Sequence, residues 1–309
     1  MSNQKSAFIA ILGRANVGKS TLVNKLVGQK IAITSNKPQT TRTKILGVLT
    51  DNETQFVFID TPGFHKPHNI LGDSMIKAVY DGMSNVDAAI LTVDAAPRFT
   101  VNKDNIPKAE LSLIDKLKEK QIPVILVINK IDLLKEKDAL LELISAYSDL
   151  YDFRAVIPLS AKTGDGIATL KNELKNYAKE SVHYFSSKDS SDQADETIIS
   201  EFIREKILRR LDREVPHGVA VLIEKLYETD TKEGEPIIHV EAVIYCEKDS
   251  HKGIIIGKGG NTLKSIGIDA RKDIERFYGI KASVKLWVKV KEDWRNRQNI
   301  IQSFGLFNK

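Results

Sequence analysis

Short apolar runs alternate with amphipathic stretches over residues 5–182. Each run is followed by a loop and then by a helical pattern, and the runs are Ala7–Leu12, Gln55–Ile59, Ala88–Val93, Val124–Ile128 and Ala155–Leu159. Near-continuous apolar strands that alternate with helices predict a mostly parallel, buried sheet, and hence an α/β domain. Ile45–Thr50 and Thr54–Ile59 flank the turn pair Asp51 and Asn52, which leaves no room for a crossover helix. We therefore expect a hairpin and one antiparallel edge strand there.

The pattern changes at residues 183–197, which we predict to be a linker. Ser186–Glu196 has no apolar periodicity and is rich in Ser and Asp, which is typical of linkers and long loops. The stretches that follow are helical, strand-like, strand-like, helical and strand-like in turn, at Ile198–Leu211, Val219–Tyr227, Ile237–Tyr245, Thr262–Phe277 and Ala282–Val290. This order predicts a smaller, compact α+β domain over residues 198–286.

Composition and charge limit the class of protein. Apolar residues make up 42% and charged residues 28%, both ordinary for a globular protein. Cys246 is the only cysteine, which excludes an intrachain disulfide framework and a cysteine-based zinc cluster. A cytoplasmic location is therefore the default expectation. No apolar run reaches the ~18–20 residues that cross a bilayer.

The basic residues are concentrated near the end of the chain. The net charge is +5, but residues 248–309 carry 14 Lys and Arg against 6 Asp and Glu. This asymmetry favours a polyanionic partner, either nucleic acid or an anionic membrane surface. A solvated basic face without a partner is the alternative.

The tail, residues 287–309, mixes basic residues with Trp287, Trp294, Phe304 and Phe307. We expect Trp287, which lies in an alternating run, to pack against the helices of the second domain. The pattern does not decide the place of Trp294. A basic aromatic strip that adds contacts to RNA or a membrane is the second interpretation of the tail.

A phosphate-binding loop follows the first apolar run and opens a helix. It consists of Gly13, Arg14, Ala15, Asn16, Val17, Gly18, Lys19 and Ser20, followed by Thr21. This is the G-x-x-x-x-G-K-S pattern in its strand–loop–helix context. Backbone N–H groups and the helix N-terminus favour a phosphate there. Lys19 adds a positive charge for the β- and γ-phosphates, and the Ser20 hydroxyl is a candidate Mg²⁺ ligand.

Two later segments favour guanine over adenine. They are Asn129, Lys130, Ile131 and Asp132, and then Ser160, Ala161 and Lys162, each after an apolar run. The Asp132 carboxylate can accept hydrogen bonds from the N1–H and 2-amino groups of guanine, which adenine lacks on that edge. The Lys130 stem can cover the base, Asn129 can tie this segment to the phosphate loop, and the Ser160 segment can close over the base through its backbone. GTP or GDP is the expected ligand.

Further candidate ligands of Mg²⁺ and of the γ-phosphate lie at the end of the apolar run Gln55–Ile59 and in a polar loop. Asp60, Thr61, Pro62, Gly63 and Phe64 follow Gln55–Ile59. We expect Asp60 to hold Mg²⁺, through water, and the Gly63 N–H to bond the γ-phosphate. A threonine of the loop before the second strand can complete the Mg²⁺ shell only when that phosphate is present, which makes a switch. Thr41 is favoured over Thr40, and an ordinary polar loop is the alternative.

The sequence names no general base for hydrolysis. Phe64 stands where many GTPases have a glutamine that orients the attacking water. His65 follows, and we expect a lone loop histidine of this kind to be merely solvated. Asn16 and Thr41 are supporting candidates. Asn16 resembles the asparagine of GTPases that bind K⁺ beside the β- and γ-phosphates, where the cation takes the place of an arginine finger. A role only in the shape of the loop is equally consistent with the sequence.

A G-x-x-G turn lies in the basic part of the chain. Gly257, Lys258, Gly259 and Gly260 follow the apolar run Ile254–Ile256 and precede the helical stretch that begins near Thr262. This is the signature of a KH module, whose glycines let the backbone clamp about four nucleotides. Lys252, Lys264 and Arg271 add positive charge around it. Single-stranded RNA, rather than DNA, is the expected ligand, and a KH-like fold without RNA binding is the alternative.

The nucleotide motifs together resemble the translation-factor class of P-loop GTPases, and the whole chain resembles the Era family of bacterial ribosome-associated GTPases. The resemblance implies binding to the 3′ end of small-subunit ribosomal RNA, a role in assembly of the small ribosomal subunit, and loose association with the inner membrane. The alternative is a peripheral membrane or division-linked signalling GTPase whose basic C-terminus binds anionic lipid. An RNA chaperone with a vestigial nucleotide site is disfavoured, because Lys19, Ser20, Asp60 and Asp132 are all intact.

Overall fold

The computed structural model describes residues 4–67, 69–95, 106–134, 138–212 and 215–306. Phe307, named above in the tail, lies outside these residues. The chain divides into two compact units, and the boundary lies between Asp192 and Gln193, within the segment predicted as a linker, except that residues 69–71 group with the second unit. Among the helices of the described ranges, none combines the length and apolar character that a membrane span requires.

The first unit follows the predicted α/β alternation. Its elements are β1 (Lys5–Leu12), α1 (Lys19–Val27), β2 (Ile45–Asp51), β3 (Thr54–Asp60), α2 (Ile70–Gly82), β4 (Ala88–Asp94), α3 (Lys108–Lys120), β5 (Val124–Asn129), α4 (Asp138–Ser148), β6 (Ala155–Leu159), α5 (Ile167–Leu174) and β7 (Lys179–Glu180). The strand order is β2-β3-β1-β4-β5-β6. Strands β3, β1, β4, β5 and β6 run parallel.

The predicted antiparallel edge is confirmed. Strand β2 pairs with β3 in antiparallel register, and Asn52 in the turn has a φ of 54°. The sequence pattern did not predict β7, which adds a second antiparallel pairing to the first residues of β1.

The core of this unit lies on both faces of the sheet, because the side chains of a strand alternate. Ile9 and Ile11 of β1 pack in the cluster that includes buried residues of α1 and α5. Ala10 and Leu12 pack in the cluster that includes residues of α2, α3 and α4. Helices therefore cover both faces, and the carboxyl ends of the parallel strands are left to carry the loops that bind ligands.

Part of the predicted linker lies along the edge strand β2. The Val48 N–H donates to the Ser190 carbonyl at 2.9 Å, and the Ser191 hydroxyl donates to the Leu46 carbonyl at 2.9 Å. The next helix begins at Asp195, so the last residues of the predicted linker, up to residue 197, are helical.

The second unit contains two helices more than the predicted order, one before the second predicted helix and one in the tail. Its elements are α6 (Asp195–Arg210), β8 (Ala220–Asp230), β9 (Pro236–Cys246), α7 (Asp249–Ile256), α8 (Asn261–Tyr278), β10 (Lys281–Val290) and α9 (Gln298–Ser303). The strand order is β10-β9-β8, with β10 parallel and β8 antiparallel to β9. Helices α6 and α8 pack against each other, with the Phe202 and Phe277 rings 5.6 Å apart.

The apolar run Ile254–Ile256 ends helix α7, for which the predicted order had no element. One expectation for this unit is wrong. Trp287 does not pack against the helices, because its side of β10 faces away from the core and leaves it 44% exposed. Trp294 is the buried tryptophan, and its indole N–H donates to the Gly218 carbonyl at 2.9 Å.

Candidate functional site

The loop between β1 and α1 is shaped by two glycines at close backbone approaches. Gly13 has a φ of 145°, and a Cβ there would lie 2.4 Å from the Thr92 carbonyl oxygen. Gly18 has a φ of 98°, and a Cβ there would lie 2.3 Å from Asn129 Nδ2. A larger residue does not fit at either position, so the loop curls tightly against the carboxyl ends of β4 and β5.

Lys19 is held inside this loop. Its Nζ donates to the carbonyl oxygens of Gly13 and Arg14, at 2.9 and 3.0 Å. Burial lowers the pKa of Lys19 to about 8, and the nearby Asp60 carboxylate opposes the shift. These two bonds fix the position of the ammonium group within the loop.

The three predicted Mg²⁺ ligands come together. Ser20 Oγ lies 2.8 Å from Thr41 Oγ1 and donates to Asp60 Oδ2 at 2.8 Å. Asp60 Oδ1 is buried and has no hydrogen-bond partner among the described residues. Burial also raises the pKa of Asp60 to about 6, although the Lys19 charge opposes the rise. A cluster of oxygen atoms with an unpartnered carboxylate oxygen fits a hard cation such as Mg²⁺.

The polar loop after α1 lies over the phosphate loop. Thr40 turns away from the ligand cluster, because its hydroxyl donates to the Lys37 carbonyl at 2.6 Å. The Asn16 side-chain N–H donates to the Asn36 carbonyl at 2.8 Å. One cavity is lined by residues of both loops and by the segment after β3: Ala15, Asn16, Gly18, Lys19, Ser20, Thr21, Ile33, Thr34, Ser35, Gln39, Thr40, Thr41 and Gly63.

The segment after β5 is tied to the phosphate loop. Asn129 Nδ2 donates to the Val17 carbonyl at 2.8 Å, and Asn129 Oδ1 accepts from the Ala161 N–H at 2.9 Å. Lys130 Nζ donates to the Asn16 carbonyl and to Asp94 Oδ2, each at 2.7 Å. These bonds join three loops that are distant in sequence into one frame.

The candidate base-recognition carboxylate lies at the edge of this frame. Asp132 is exposed, and the buried Ser160 hydroxyl donates to its Oδ1 at 2.6 Å. Ile131 is half-buried and Lys162 is exposed. One carboxylate oxygen is therefore anchored by a side chain of the neighbouring loop, which orients the group for a ligand.

The segment after β3 packs closely on the phosphate loop. A Cβ at Gly63 would lie 2.6 Å from Ala15 Cα, and Thr61 donates from its hydroxyl to the Ile11 carbonyl at 2.8 Å. Pro62 is buried. Phe64 packs its ring against Tyr80 of α2, with centroids 6.2 Å apart.

His65 is not merely solvated, so that expectation is wrong. Its Nδ1 lies 2.7 Å from the Gly63 carbonyl, and its Nε2 is buried without a partner in the described part of the chain. The ring therefore packs into the segment that follows β3.

Sequence reasoning missed a buried carboxylate beside the phosphate loop. Glu110, in the first turn of α3, accepts from Arg14 Nε at 2.6 Å and from the Tyr147 hydroxyl. Burial raises the pKa of Glu110, and the bonds from Tyr147 and Arg14 oppose the rise. The sequence signal was weak, because an acidic residue in a first helical turn is ordinary on a solvated surface.

The G-x-x-G turn joins α7 to α8. Gly257, Gly259 and Gly260 have φ values of 74°, 61° and 77°, so glycine suits all three positions. A Cβ at Gly257 would lie 2.1 Å from Thr262 Oγ1, whereas a Cβ at Gly259 would meet no atom within 4 Å. Lys258 is exposed in the turn, and Gly259 is open to a ligand.

A groove extends from this turn between α8 and β10. Lys264 and Arg271 line it, together with Gly260, Leu263, Gly267, Ile268, Ala282, Ser283, Val284 and Leu286. Its volume is about 620 Å³. Lys252 lies on α7, half-buried. The groove combines an apolar floor with cations at its rim, which suits bases and phosphates.

Comparison with known proteins agrees with both units. The family model described as a 50S ribosome-binding GTPase matches residues 8–130, and the KH domain model matches residues 214–295. GTPase Era of Clostridioides difficile is 49% identical over 305 residues, which cover 99% of each chain. This chain belongs to the Era family of GTPases. These matches confirm the predicted family, the α/β GTPase domain and the KH domain. They also confirm that the chain is a GTPase.

Other members of the Era family support the same assignment. GTPase Era of Ruminiclostridium cellulolyticum is 47% identical over 97% of each chain. A variant of Era from Aquifex aeolicus, solved with GDP·AlF4⁻, superposes with a TM-score of 0.90 and 32% identity, over 99% of this chain and 100% of that one. A second solved Era, with the same TM-score, identity and coverage, is in complex with MgGDPNP and nucleotides 1506–1542 of 16S ribosomal RNA.

Proposed function

We propose that the chain is a GTP-dependent switch that binds the 3′ end of 16S ribosomal RNA through its KH domain and acts in assembly of the small ribosomal subunit. The observation that carries the nucleotide half is the convergence of Ser20, Thr41 and Asp60, which come from three separate segments. The RNA half is carried by the open Gly259 turn and its groove, and by the RNA seen on the solved Era.

In this proposal the nucleotide lies across the joined loops. The phosphate loop and Lys19 hold the phosphates, and Asp132, oriented by Ser160, accepts from the N1–H and 2-amino groups of guanine. Ser20, Thr41 and Asp60 hold Mg²⁺, which supplies charge stabilisation on the phosphate oxygens. Such positioning and electrostatic stabilisation account for most of the catalysis in phosphoryl transfer.

Thr41 is the switching residue of this proposal. It reaches the ligand cluster from a polar loop that is also bonded to the phosphate loop through Asn16 and Asn36. When the γ-phosphate leaves, Thr41 would no longer complete the Mg²⁺ shell, and the loop would gain freedom to move. A change in RNA affinity between the GTP and GDP states follows only if the two loop positions interact differently with the rest of the chain.

We also propose that K⁺ stimulates hydrolysis at Asn16. A monovalent cation beside the β- and γ-phosphates supplies the charge that an arginine finger supplies in other GTPases, and Phe64 offers no group to orient water. Hydrolysis should be at least tenfold faster in KCl than in NaCl at equal ionic strength, and Asn16→Ala should remove the difference. Equal rates in the two salts would leave Asn16 with the loop-holding role of its bond to Asn36.

A matched pair of glycine variants tests the RNA site. Gly259 and Gly234 both have positive φ values, 61° and 78°, and a Cβ at either position meets no atom within 4 Å. Gly234 lies between β8 and β9, away from the clamp. Gly259→Asp places a carboxylate where the RNA backbone is expected to approach. Gly234→Asp causes a similar backbone strain but places no charge at the expected RNA site.

The measurement is the affinity for an RNA of nucleotides 1506–1542, in the presence of a GTP analogue or GDP. Gly259→Asp should weaken binding at least tenfold, and Gly234→Asp should stay within twofold of the wild type. Binding of the same variants to vesicles that contain anionic lipid tests the alternative partner, an anionic membrane surface. Equal RNA affinity for both variants, together with strong vesicle binding, would favour loose membrane association over the RNA role of this turn.

A further inference from the structure

A buried ion pair links helix α3 to the phosphate loop. Glu110 is fully buried, with a relative exposure of 0%, and Arg14 Nε donates to its Oε1 at 2.6 Å. Tyr147, on α4, donates its hydroxyl to the other carboxylate oxygen. Both oxygens thus accept hydrogen bonds, which is the pattern of an ionised carboxylate.

Burial of a carboxylate is unfavourable unless the group is paired and hydrogen-bonded. Among the residues that the structure describes, the charge partner of Glu110 is Arg14, which belongs to the phosphate loop and not to the helices around the carboxylate. The Arg14 side chain is 32% exposed, so its outer part remains in contact with solvent at the site. The pair therefore connects a buried carboxylate to the loop that is proposed to bind the phosphates.

Arg14 occupies a decisive position in that loop. Its own carbonyl and that of Gly13 hold Lys19 Nζ, at 3.0 and 2.9 Å. Its backbone also forms an isolated bridge with Phe64, next to Gly63. A shift of Arg14 consequently moves the cradle of Lys19 and the segment whose Gly63 N–H is expected to bond the γ-phosphate.

We propose that Glu110 is a positioning residue for nucleotide binding, which fixes the phosphate loop through Arg14. The inference rests on the nucleotide site proposed above. Because the loop is held in place before the ligand arrives, less ordering is required on binding, and this increases affinity. Tyr147 orients Glu110 from the opposite side.

Four variants separate this role from a general effect on stability. Glu110→Gln keeps the shape of the side chain and removes its charge. Arg14→Ala removes the partner and leaves the buried Glu110 side chain unchanged. Arg14→Lys keeps the positive charge and is the conservative rescue. Glu119→Gln is the matched control, because Glu119 forms an exposed pair with Lys116 at 2.7 Å on the same helix.

The first readout is the affinity and dissociation rate of fluorescently labelled GDP and GTP, at a temperature where each variant is folded by circular dichroism. Glu110→Gln and Arg14→Ala should each lower the affinity for both nucleotides about tenfold and raise the KM for GTP, and Glu110→Gln should keep kcat at saturation within twofold of the wild type. The double variant should be no weaker than Arg14→Ala, because Glu110 acts through Arg14. Arg14→Lys should stay within threefold of the wild type, and Glu119→Gln should equal it.

The second readout is the preference for GTP over XTP. It should not change in Glu110→Gln, because the pair acts on the phosphates and not on the base. Additive losses in the double variant, or a changed base preference, would overturn the positioning role. So would wild-type affinity in Arg14→Ala, which tests the pair even if Glu110→Gln fails to fold.

Lys19→Ala, measured in parallel, separates this inference from the proposed site. If Lys19→Ala loses nucleotide while Glu110→Gln binds normally, the site stands and the positioning role is wrong. If Lys19→Ala binds normally, the proposed phosphate site itself is wrong.

Discussion

Thr41 Oγ1 lies 2.8 Å from Ser20 Oγ, although Ser20 lies at the start of helix α1 and Thr41 lies in the loop after that helix, 21 positions away. Ser20 also donates to Asp60, which brings a third segment to the same point. The hydroxyl of the adjacent Thr40 is occupied by the Lys37 carbonyl. Two neighbouring threonines thus have different partners, and the chain offers a matched pair of variants.

Thr41→Ala should raise the Mg²⁺ concentration needed for half-maximal GTP hydrolysis about tenfold, as loss of a group around a metal commonly does. Thr40→Ala should change it less than twofold, because its hydroxyl bonds the loop backbone. A Mg²⁺ titration of GTPase activity measures both. A larger effect for Thr40→Ala would assign the metal to the other threonine.

Asp132→Asn should exchange the base preference from guanine to xanthine. The amide presents a donor to the 2-oxo group of xanthine, whereas guanine leaves its 2-amino donor unmatched. We expect GTP affinity to fall at least tenfold and XTP affinity to rise, in competition against labelled GDP. Ser160→Ala removes only the anchor of Asp132 and should keep guanine preferred. A retained preference for GTP in Asp132→Asn would contradict the assignment of the base.

The pKa of Asp60, about 6 in the folded protein against 3.8 for a free carboxyl, makes stability depend on pH in the absence of metal. Between these two pH values the folded state holds a proton that the unfolded state has lost. The free energy of unfolding therefore falls as the pH rises from 3.8 to 6. The shift corresponds to about 3 kcal/mol. Above pH 6 the free energy of unfolding of Asp60→Asn should therefore exceed that of the wild type by at most this amount.

Urea unfolding in EDTA between pH 4 and pH 7, without nucleotide, measures this effect. The two proteins should be equally stable near pH 4 and diverge as the pH rises. Asp115→Asn, an exposed residue on α3, is the control and should follow the wild type. If the stability of Asp60→Asn and that of the wild type changed with pH in parallel, burial would not shift the pKa of the Asp60 carboxyl.

The strands and the nucleotide motifs were predictable because each rests on local information. Val124–Ile128 is a continuous apolar run of the kind that a parallel sheet buries on both faces, and Asn129 to Asp132 follow it directly. The topology then brings such strand ends together. The position of Glu110 was not predictable in this way, because its partner Arg14 is 96 residues away and only the folded chain brings them together.

Helix α7 shows where local information misleads. Three successive isoleucines, residues 254–256, favour a strand by their β-branched side chains. The structure makes them the end of a helix, in which Ile255 is fully buried. Tertiary packing against α8 and β10 outweighs the local preference, as it does for most helices in proteins.

Trp287 and Trp294 differ in burial, and this difference can be tested. The expectation for Trp287 was wrong, and the alternation of side chains along β10 shows the reason. Trp287 shares its side of the strand with the exposed Lys285 and Lys289, whereas Val288 faces the core. Trp294→Ala should lower the free energy of unfolding by about 3–5 kcal/mol, since it removes a fully buried indole. Trp287→Ala should cost less than about 1 kcal/mol.

The chain has only these two tryptophans, so each single Trp→Phe variant reports on the other. The emission of Trp294 alone, in Trp287→Phe, should be blue-shifted and protected from acrylamide, and that of Trp287 alone should be red-shifted and readily quenched. If RNA lies only in the groove between α8 and β10, Trp287, on the opposite side of the strand, should keep its emission when RNA binds. Quenching of Trp287 by RNA would instead show that the outer face of the sheet also takes part in binding.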